Sequence, residues 1–184
     1  MIRIFDLFLA ILAIILLSPI IIFVYFLIYI ENKSPFFYQE RIGKNKSIFV
    51  LIKFRTMAIG TNSCATHLVD SSRITRLGNI LRKTKIDELP QLLNVIKGEM
   101  SLVGPRPSLP SQKELIYFRS KYNLYKYLPG ITGLAQIKSI DMSDPILLSK
   151  TDYRMMRNLN IINYFFYLIM TLFGKGFGDR TRII

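Results

Sequence analysis

The sequence predicts an α+β chain, mainly helical. A membrane-inserted N-terminal helix, broken at a Ser-Pro step, leads into a compact cytosolic domain built on a small β-hairpin. Three observations predict this. Residues 7–30 form an uncharged apolar run, residues 36–57 hold two β-rich runs about a polar turn, and residues 73–100 repeat apolar side chains at helical spacing. The boundary falls at residue 31, giving a membrane helix over 1–31 and a soluble domain over 32–184.

The apolar run has 24 residues, roughly 36 Å as one helix and enough to cross a ~30 Å hydrocarbon core. Its length, with no small-residue cleavage site after it, argues against a cleaved signal peptide. Pro19 removes a backbone donor and clashes with the Ile15 carbonyl, so the helix is expected to kink there. Ser18 offers a hydroxyl to the carbonyl thus freed. The arms Leu7–Leu17 and Ile20–Ile30 are 11 residues each, about 16 Å or one leaflet. A helix that enters, bends at Ser18-Pro19 and returns to the same side fits this geometry, as does a kinked span. Arg3 before the run, and Lys33, Arg41, Lys44 and Lys46 after it, put basic flanks on both sides. That pattern places the following domain in the cytoplasm.

FFYQERIG pairs naturally with SIFVLIKFRTM across Gly43–Ser47. Next, GTNSCATHLVDSS (60–72) reads as a polar surface loop. In the stretch 73–100, Pro90 marks the start of a new helix, with Asp87 and Glu88 at or just before its N-terminus. SLVGPRPSLP (101–110) reads as a rigid extended loop and residues 111–128 as an amphipathic helix. The mixture there of Tyr117, Tyr122 and Tyr125 with Arg119, Lys121 and Lys126 suits a membrane interface or a basic solvent face. PGITGLAQIKSI (129–140) reads as turn, then strand. NIINYFFYLIMTLFG (160–174) reads as a core or interfacial helix, and the glycines of GKGFGD (174–179) as a flexible exit.

The net charge of +13 implies an anionic partner: nucleic acid, an acidic membrane surface or a phosphorylated substrate. One cysteine (Cys64) and one histidine (His67) exclude a disulfide framework and a zinc site of Cys/His type. Both lie in the polar loop and read as residues without chemistry.

Between residues 31 and 90 there are 11 Lys/Arg and 5 Asp/Glu, and two of the five are Asp87 and Glu88. Acids at a helix start are often caps, worth ~0.3–1 kcal/mol. The same place offers other chemistry. A helix N-terminus binds phosphate and lowers a carboxylate's pKa, keeping it ionised and nucleophilic. Such a carboxylate attacks phosphorus to give an acyl phosphate, given a divalent ion or arginines to bring two anions together. Glu88 beside Asp87 suits Mg²⁺, and the nearby arginines suit a phosphate clamp.

KFRTM (53–57), RLGNILRKTKIDELPQLLNVIKGEMSLVGPRP (76–107) and PGITGLAQ (129–136) together resemble the bacterial sugar transferases. More narrowly, they resemble the monotopic phosphoglycosyl transferases that initiate glycoconjugate assembly (O-antigen, capsule or glycoprotein glycan). The resemblance covers nearly the whole chain, and it implies the re-entrant form of the N-terminal helix and a place on the cytoplasmic face of the bacterial inner membrane. It implies a ping-pong reaction. Asp87 attacks the β-phosphate of a UDP-sugar, UMP leaves, and undecaprenyl phosphate then takes the phosphosugar. By the same resemblance Asp87 and Glu88 form the catalytic, Mg²⁺-holding dyad, and Arg82 and Arg106 bind phosphate. Lys53, Arg55, Thr132 and Gln136 are weaker substrate-side candidates, and downstream glycosyltransferases are implied as further partners. The chain departs from the family at IKSIDMSDP (137–145), where an Asn-Gly-Arg segment is usual, and reads as the compact form without a multi-span extension.

The competing reading is a non-catalytic, membrane-anchored basic module for anionic lipid or nucleic acid. Against nucleic acid stand the absence of a helix-turn-helix or RNA-binding sheet motif and an acidic dyad inside the most basic region. An inactive paralogue is disfavoured by the presence of the dyad and both arginines.

Overall fold

A sequence rich in Ile and Leu winds into a single long helix, α1 (Ile2–Asn32), which runs on through Ser18-Pro19 without the break expected there. The computed structural model describes residues 2–60 and 73–174. The loop residues Cys64 and His67, and the tail from residue 175, lie outside the described residues. Pro19 sits inside α1, and Ser18 Oγ donates to the Ile15 carbonyl oxygen at 2.8 Å. That carbonyl is the one proline leaves without a backbone donor, so the hydroxyl supplies part of what the ring removes. Only 11% of the most apolar stretch of α1 is buried. A core helix of that hydropathy would be mostly covered; this one is long and apolar enough to cross a membrane.

Both ends of α1, but not its middle, pack on the rest of the chain. At the N-terminal end Arg3 donates to the carbonyls of Val95 (2.6 Å) and Met100 (3.1 Å), closing off the C-terminal end of helix α3 (Gln91–Lys97). Asp6 is buried and accepts three bonds, from Ser101 Oγ (3.0 Å), Leu102 N (2.9 Å) and Tyr164 Oη (2.8 Å). Burial, then the bond to Asp6, pushes the Tyr164 hydroxyl above the ordinary phenol range, so it remains a donor. At the other end Val24 and Ile28 pack with Phe54 and Leu81, and Glu31 accepts from Thr75 Oγ1 at 3.2 Å.

The hairpin forms as its sequence requires. Strands β1 (Phe36–Ile42) and β2 (Ile48–Phe54) pair antiparallel from Phe36↔Phe54 to Ile42↔Ile48. Alternation turns Gln39, Arg41, Phe49 and Leu51 inward and leaves Tyr38, Glu40 and Val50 outside. Helix α2 (Arg76–Thr84) is capped by Thr75, whose hydroxyl accepts from Gly78 N at 2.9 Å. Gly78 lies so close to Thr56 that a Cβ would meet its carbonyl oxygen at 2.1 Å. That approach is what seats α2 on the end of the hairpin.

The chain leaves β3 (Ser101–Val103) and returns to it as β4 (Gly130–Thr132), a short parallel pair with Ser101↔Gly130 and Val103↔Thr132. The segment expected to be a plain extended loop thus carries a strand. The strand expected after Thr132 is instead a helical turn, α5 (Leu134–Ile137). The physical reason is that β3 has ended, so no ladder partner remains and local bonds form (Ile137 N to Gly133 O, 3.0 Å). The helix expected over 111–128 is shorter: α4 (Lys113–Lys121) stops before Asn123, which takes a left-handed conformation at φ 52. Helix α6 (Pro145–Arg157) opens with Asp144 accepting from Leu147 N (2.9 Å) and Pro145 in its first turn. Helix α7 (Ile161–Leu172) buries Tyr164 and Tyr167 and exposes Ile162, Phe166, Ile169 and Leu172. The core gathers Leu51, Val95, Met100, Val103, Met155 and Tyr164 from five elements.

Candidate active site

The acidic dyad lies in a tight turn between two helices. Lys85 ends α2 in a left-handed conformation (φ 56), and Ile86–Glu88 follow as one 3-10 turn leading to Pro90 and α3. Pro90, not an acid, occupies the cap position of α3, so neither carboxylate serves as that helix's cap. Helix α3 has seven residues, too short for its dipole to make a phosphate site by itself. The charge that steadies the dyad comes from side chains instead.

Lys53 Nζ lies 3.2 Å from Glu88 Oε1, and Arg106 Nη2 lies 3.9 Å from the same oxygen. These three side chains come from β2, from the turn before α3 and from the loop after β3. Asp87, adjacent to Glu88, is buried. The group borders a shallow cleft lined by Arg41, Lys53, Glu88, Gln91, Arg106 and Ile131, among others. From the sequence Arg41 reads only as a basic flank of the membrane helix, and Gln91 carries no signal of its own. Polar residues at the inward positions of an alternating strand, as in Gln39-x-Arg41, are the signal that points to such a wall.

Arg82 donates through Nε to Thr56 Oγ1 at 2.9 Å, while its buried Nη1 has no hydrogen-bond partner among the described residues. A buried guanidinium nitrogen left in this way is suited to an anion. Like Arg82, the remaining candidates lie outside the cleft lining. Arg55 donates to the carbonyls of Ser34 (3.0 Å) and Phe36 (3.1 Å) and lies over the Phe37 ring, tying down the start of β1. Thr132 is buried against Thr171 of α7. Gln136 is buried in α5 beneath Gly133, outside the cleft lining.

The spacing of the two glycine-bearing loops also has a cause. A Cβ on Gly130 would stand 2.0 Å from Gly104 N. Only glycine lets the two backbones cross there, and the crossing brings the loop of Arg106 against Ile131 of β4 at the cleft beside the dyad. Among the described residues no three His, Cys, Asp or Glu side chains cluster as a metal-binding group. A hard cation that keeps substrate oxygens in its shell needs only one or two carboxylates, and Asp87 and Glu88 supply that number.

The fold and the cleft define a domain with a membrane-length apolar helix and an acidic site framed by cations. Residues 1–175 match the family of bacterial sugar transferases, and the chain belongs to that family. It is 46% identical over 136 residues to the uncharacterized sugar transferase EpsL of Bacillus subtilis, a match covering 73% of this chain and 67% of that protein. Over 186 residues it is 33% identical to an Aeromonas hydrophila protein named UDP-N-acetylgalactosamine-undecaprenyl-phosphate N-acetylgalactosaminephosphotransferase, covering 95% of this chain and 44% of the relative. A Salmonella typhimurium undecaprenyl-phosphate galactose phosphotransferase is 33% identical over 152 residues, covering 73% of this chain and 32% of the relative. The chain thus spans from about a third to two thirds of the length of these relatives.

Proposed function

We propose that this chain transfers a sugar 1-phosphate from a UDP-sugar to undecaprenyl phosphate, with Asp87 as the covalent nucleophile. The observation that carries the reading is the group of Lys53, Glu88 and Arg106 beside buried Asp87. A carboxylate and a diphosphate repel each other, and the two cationic side chains at the dyad, Lys53 and Arg106, offset that repulsion. An Asp87 oxygen attacks the β-phosphorus, the bond from that phosphorus to the oxygen bridging it to the α-phosphate breaks, and UMP departs with the bonding pair. A phosphate oxygen of undecaprenyl phosphate then attacks the same phosphorus and frees the Asp87 carboxylate, leaving a polyprenyl diphosphate sugar. Lys53 and Arg106 hold Glu88 in register and meet the negative charge of the transferring group, with Arg82 as a further donor. Asp87 and Glu88 would hold Mg²⁺ with the substrate diphosphate, where it would supply additional neutralisation of charge.

The names of the relatives support this substrate pair, since the Aeromonas and Salmonella proteins are both named as undecaprenyl-phosphate sugar phosphotransferases. The acceptor phosphate lies at a membrane surface, and α1 supports such a placement. A straight span would put its ends on opposite sides of the bilayer. Here Arg3 and Asp6 at one end, and Val24, Ile28 and Glu31 at the other, all contact the same domain. We read α1 as re-entrant, with both ends on the cytoplasmic side and its middle in lipid.

UMP release from UDP-sugars, with Mg²⁺ and undecaprenyl phosphate, tests the reaction. Asp87→Asn should lower turnover by roughly 10⁴-fold or more and abolish any phosphosugar adduct on the protein. Near-normal turnover in that variant would remove Asp87 as the nucleophile. For topology, Ile2→Cys in a Cys64→Ser background should resist impermeant thiol reagents applied outside intact cells. Labelling from outside would reject the re-entrant form.

A further inference from the structure

The loop that carries Arg106 cannot fasten itself. Pro105 and Pro107 flank the arginine and have no backbone N–H, so the segment must be held through its carbonyl oxygens. Each of four successive carbonyls is taken by a different donor. Gly130 N donates to Pro105 O at 2.9 Å and Ile42 N to Ser108 O at 2.9 Å. Between these, Arg119 Nη1 donates to Arg106 O, and Arg41 Nη1 donates to Pro107 O at 2.9 Å. Both arginines are buried. Each is fixed by a second acceptor behind it: Asp152 Oδ2 at 2.7 Å for Arg119, and Gln39 Oε1 for Arg41.

Burying a guanidinium is costly, and a carbonyl acceptor by itself does not justify it, because any neutral amide would serve. What a guanidinium adds is a rigid fork, so one end can grip a carbonyl while the other is locked in place. Arg41 comes from the hairpin and Arg119 from α4, so the two grips reach the loop from different elements. The side chain between them is the one that reaches Glu88.

We propose that Arg41 and Arg119, the latter through Asp152, are positioning residues for Arg106. They fix the backbone of residues 105–107 so that the Arg106 guanidinium stays aimed at the dyad and the transferring phosphate. The proposal rests on the phosphate role proposed above for Arg106. It adds two residues that act through the backbone of the loop, Arg41 from the wall of the same cleft and Arg119 from behind it.

A double-mutant cycle on UMP release tests it, using whichever of UDP-galactose and UDP-N-acetylgalactosamine turns over faster. Arg41→Gln should lower kcat/KM roughly ten- to a hundredfold, as expected for a misplaced catalytic contact, with most of the loss in kcat. Combined with Arg106→Ala, it should add little to the loss from Arg106→Ala alone. Arg41→Lys, which keeps one donor for the Pro107 carbonyl, should recover part of the rate. If Arg41→Gln melts below the assay temperature, Arg119→Lys runs the same cycle from the other side of the loop. Losses that multiply in the double variants, or full activity in the folded single variants, overturn the positioning role. A fully active Arg106→Ala overturns instead the phosphate role on which the proposal rests.

Discussion

Two clusters of opposite charge lie on either side of the loop that carries Arg106, and they differ in one respect above all. In the first, Lys53, Glu88 and Arg106 are 15%, 16% and 26% exposed, and their separations are 3.2 and 3.9 Å. In the second, Arg119 and Asp152 are 3% and 0% exposed and meet at 2.7 Å. The open cluster is wet enough for its partners to be exchanged, so Arg106 can turn from Glu88 to a phosphate without stranding a charge in the interior. The dry pair cannot exchange, because each ion left alone there would face the full cost of desolvation. The open cluster therefore suits chemistry, and the dry one holds the loop that chemistry needs.

Removing one partner of the dry pair gives the largest stability effect expected here. Arg119→Met should destabilise by about 3–5 kcal/mol, because Asp152 is left buried with no counter-ion. Replacing both, as Arg119→Met with Asp152→Leu, should restore most of the melting temperature, since an apolar pair of similar volume is often neutral. Turnover should stay low in the double variant, because the Arg106 carbonyl has still lost its donor. Recovery of both stability and turnover would show that the pair serves packing alone. This separation is the sharpest test of the contrast between the clusters.

What could be read from the sequence follows the same division between local and distant causes. The hairpin is legible because a polar turn at Gly43–Ser47 separates two β-rich runs, and the two strands pair across it as expected. The turn before α3 was legible from Pro90. The Ser18 bond to the Ile15 carbonyl follows from proline chemistry within one helical turn. The parallel pair β3–β4 was not legible, because it joins residues 101–103 to 130–132 and rests on two glycines meeting across the chain. The role of Asp6 is not legible, because an acid beside a long apolar run looks like a flank and its three donors lie 95 or more residues away. The segment 137–145, a departure from the family's pattern, contains the cap of α6 at Asp144-Pro145, and both of those signals are local in the sequence.

The second effect is a pH dependence confined to the dry pair. Burial pushes Asp152 up to about 6 from its ordinary 3.8, against the opposing pull of Arg119. Its folded value lies above the unfolded one, so between those pH values the native state holds a proton that the unfolded chain has released. The stability this confers is full below pH 3.8 and is lost as pH rises through about 6. The size is about 3 kcal/mol for a shift of roughly two units. Other acids titrate over the same range, so the measurement is the difference between the native sequence and Asp152→Asn. Melting temperatures followed from pH 4 to 7 should show the native protein losing stability relative to the variant. A constant difference across that range would mean that Asp152 ionises in the fold as it does in the unfolded chain.

The smallest stability effect belongs to the open cluster, and its smallness is the point. Lys53→Met leaves Glu88 still near Arg106 and partly in water, so the folded state should lose only about 0–1 kcal/mol. The same change removes a positive charge 3.2 Å from Glu88, where the proposed reaction brings a diphosphate up to two carboxylates. Turnover should therefore fall by a far larger factor than stability, and raised salt should weaken substrate binding more in the native protein than in the variant. Thermal melting paired with UMP release over a salt series checks this. If Lys53→Met instead unfolds the protein as severely as Arg119→Met, the open cluster is a structural ion pair. The contrast between wet and dry charge would then lose its functional meaning.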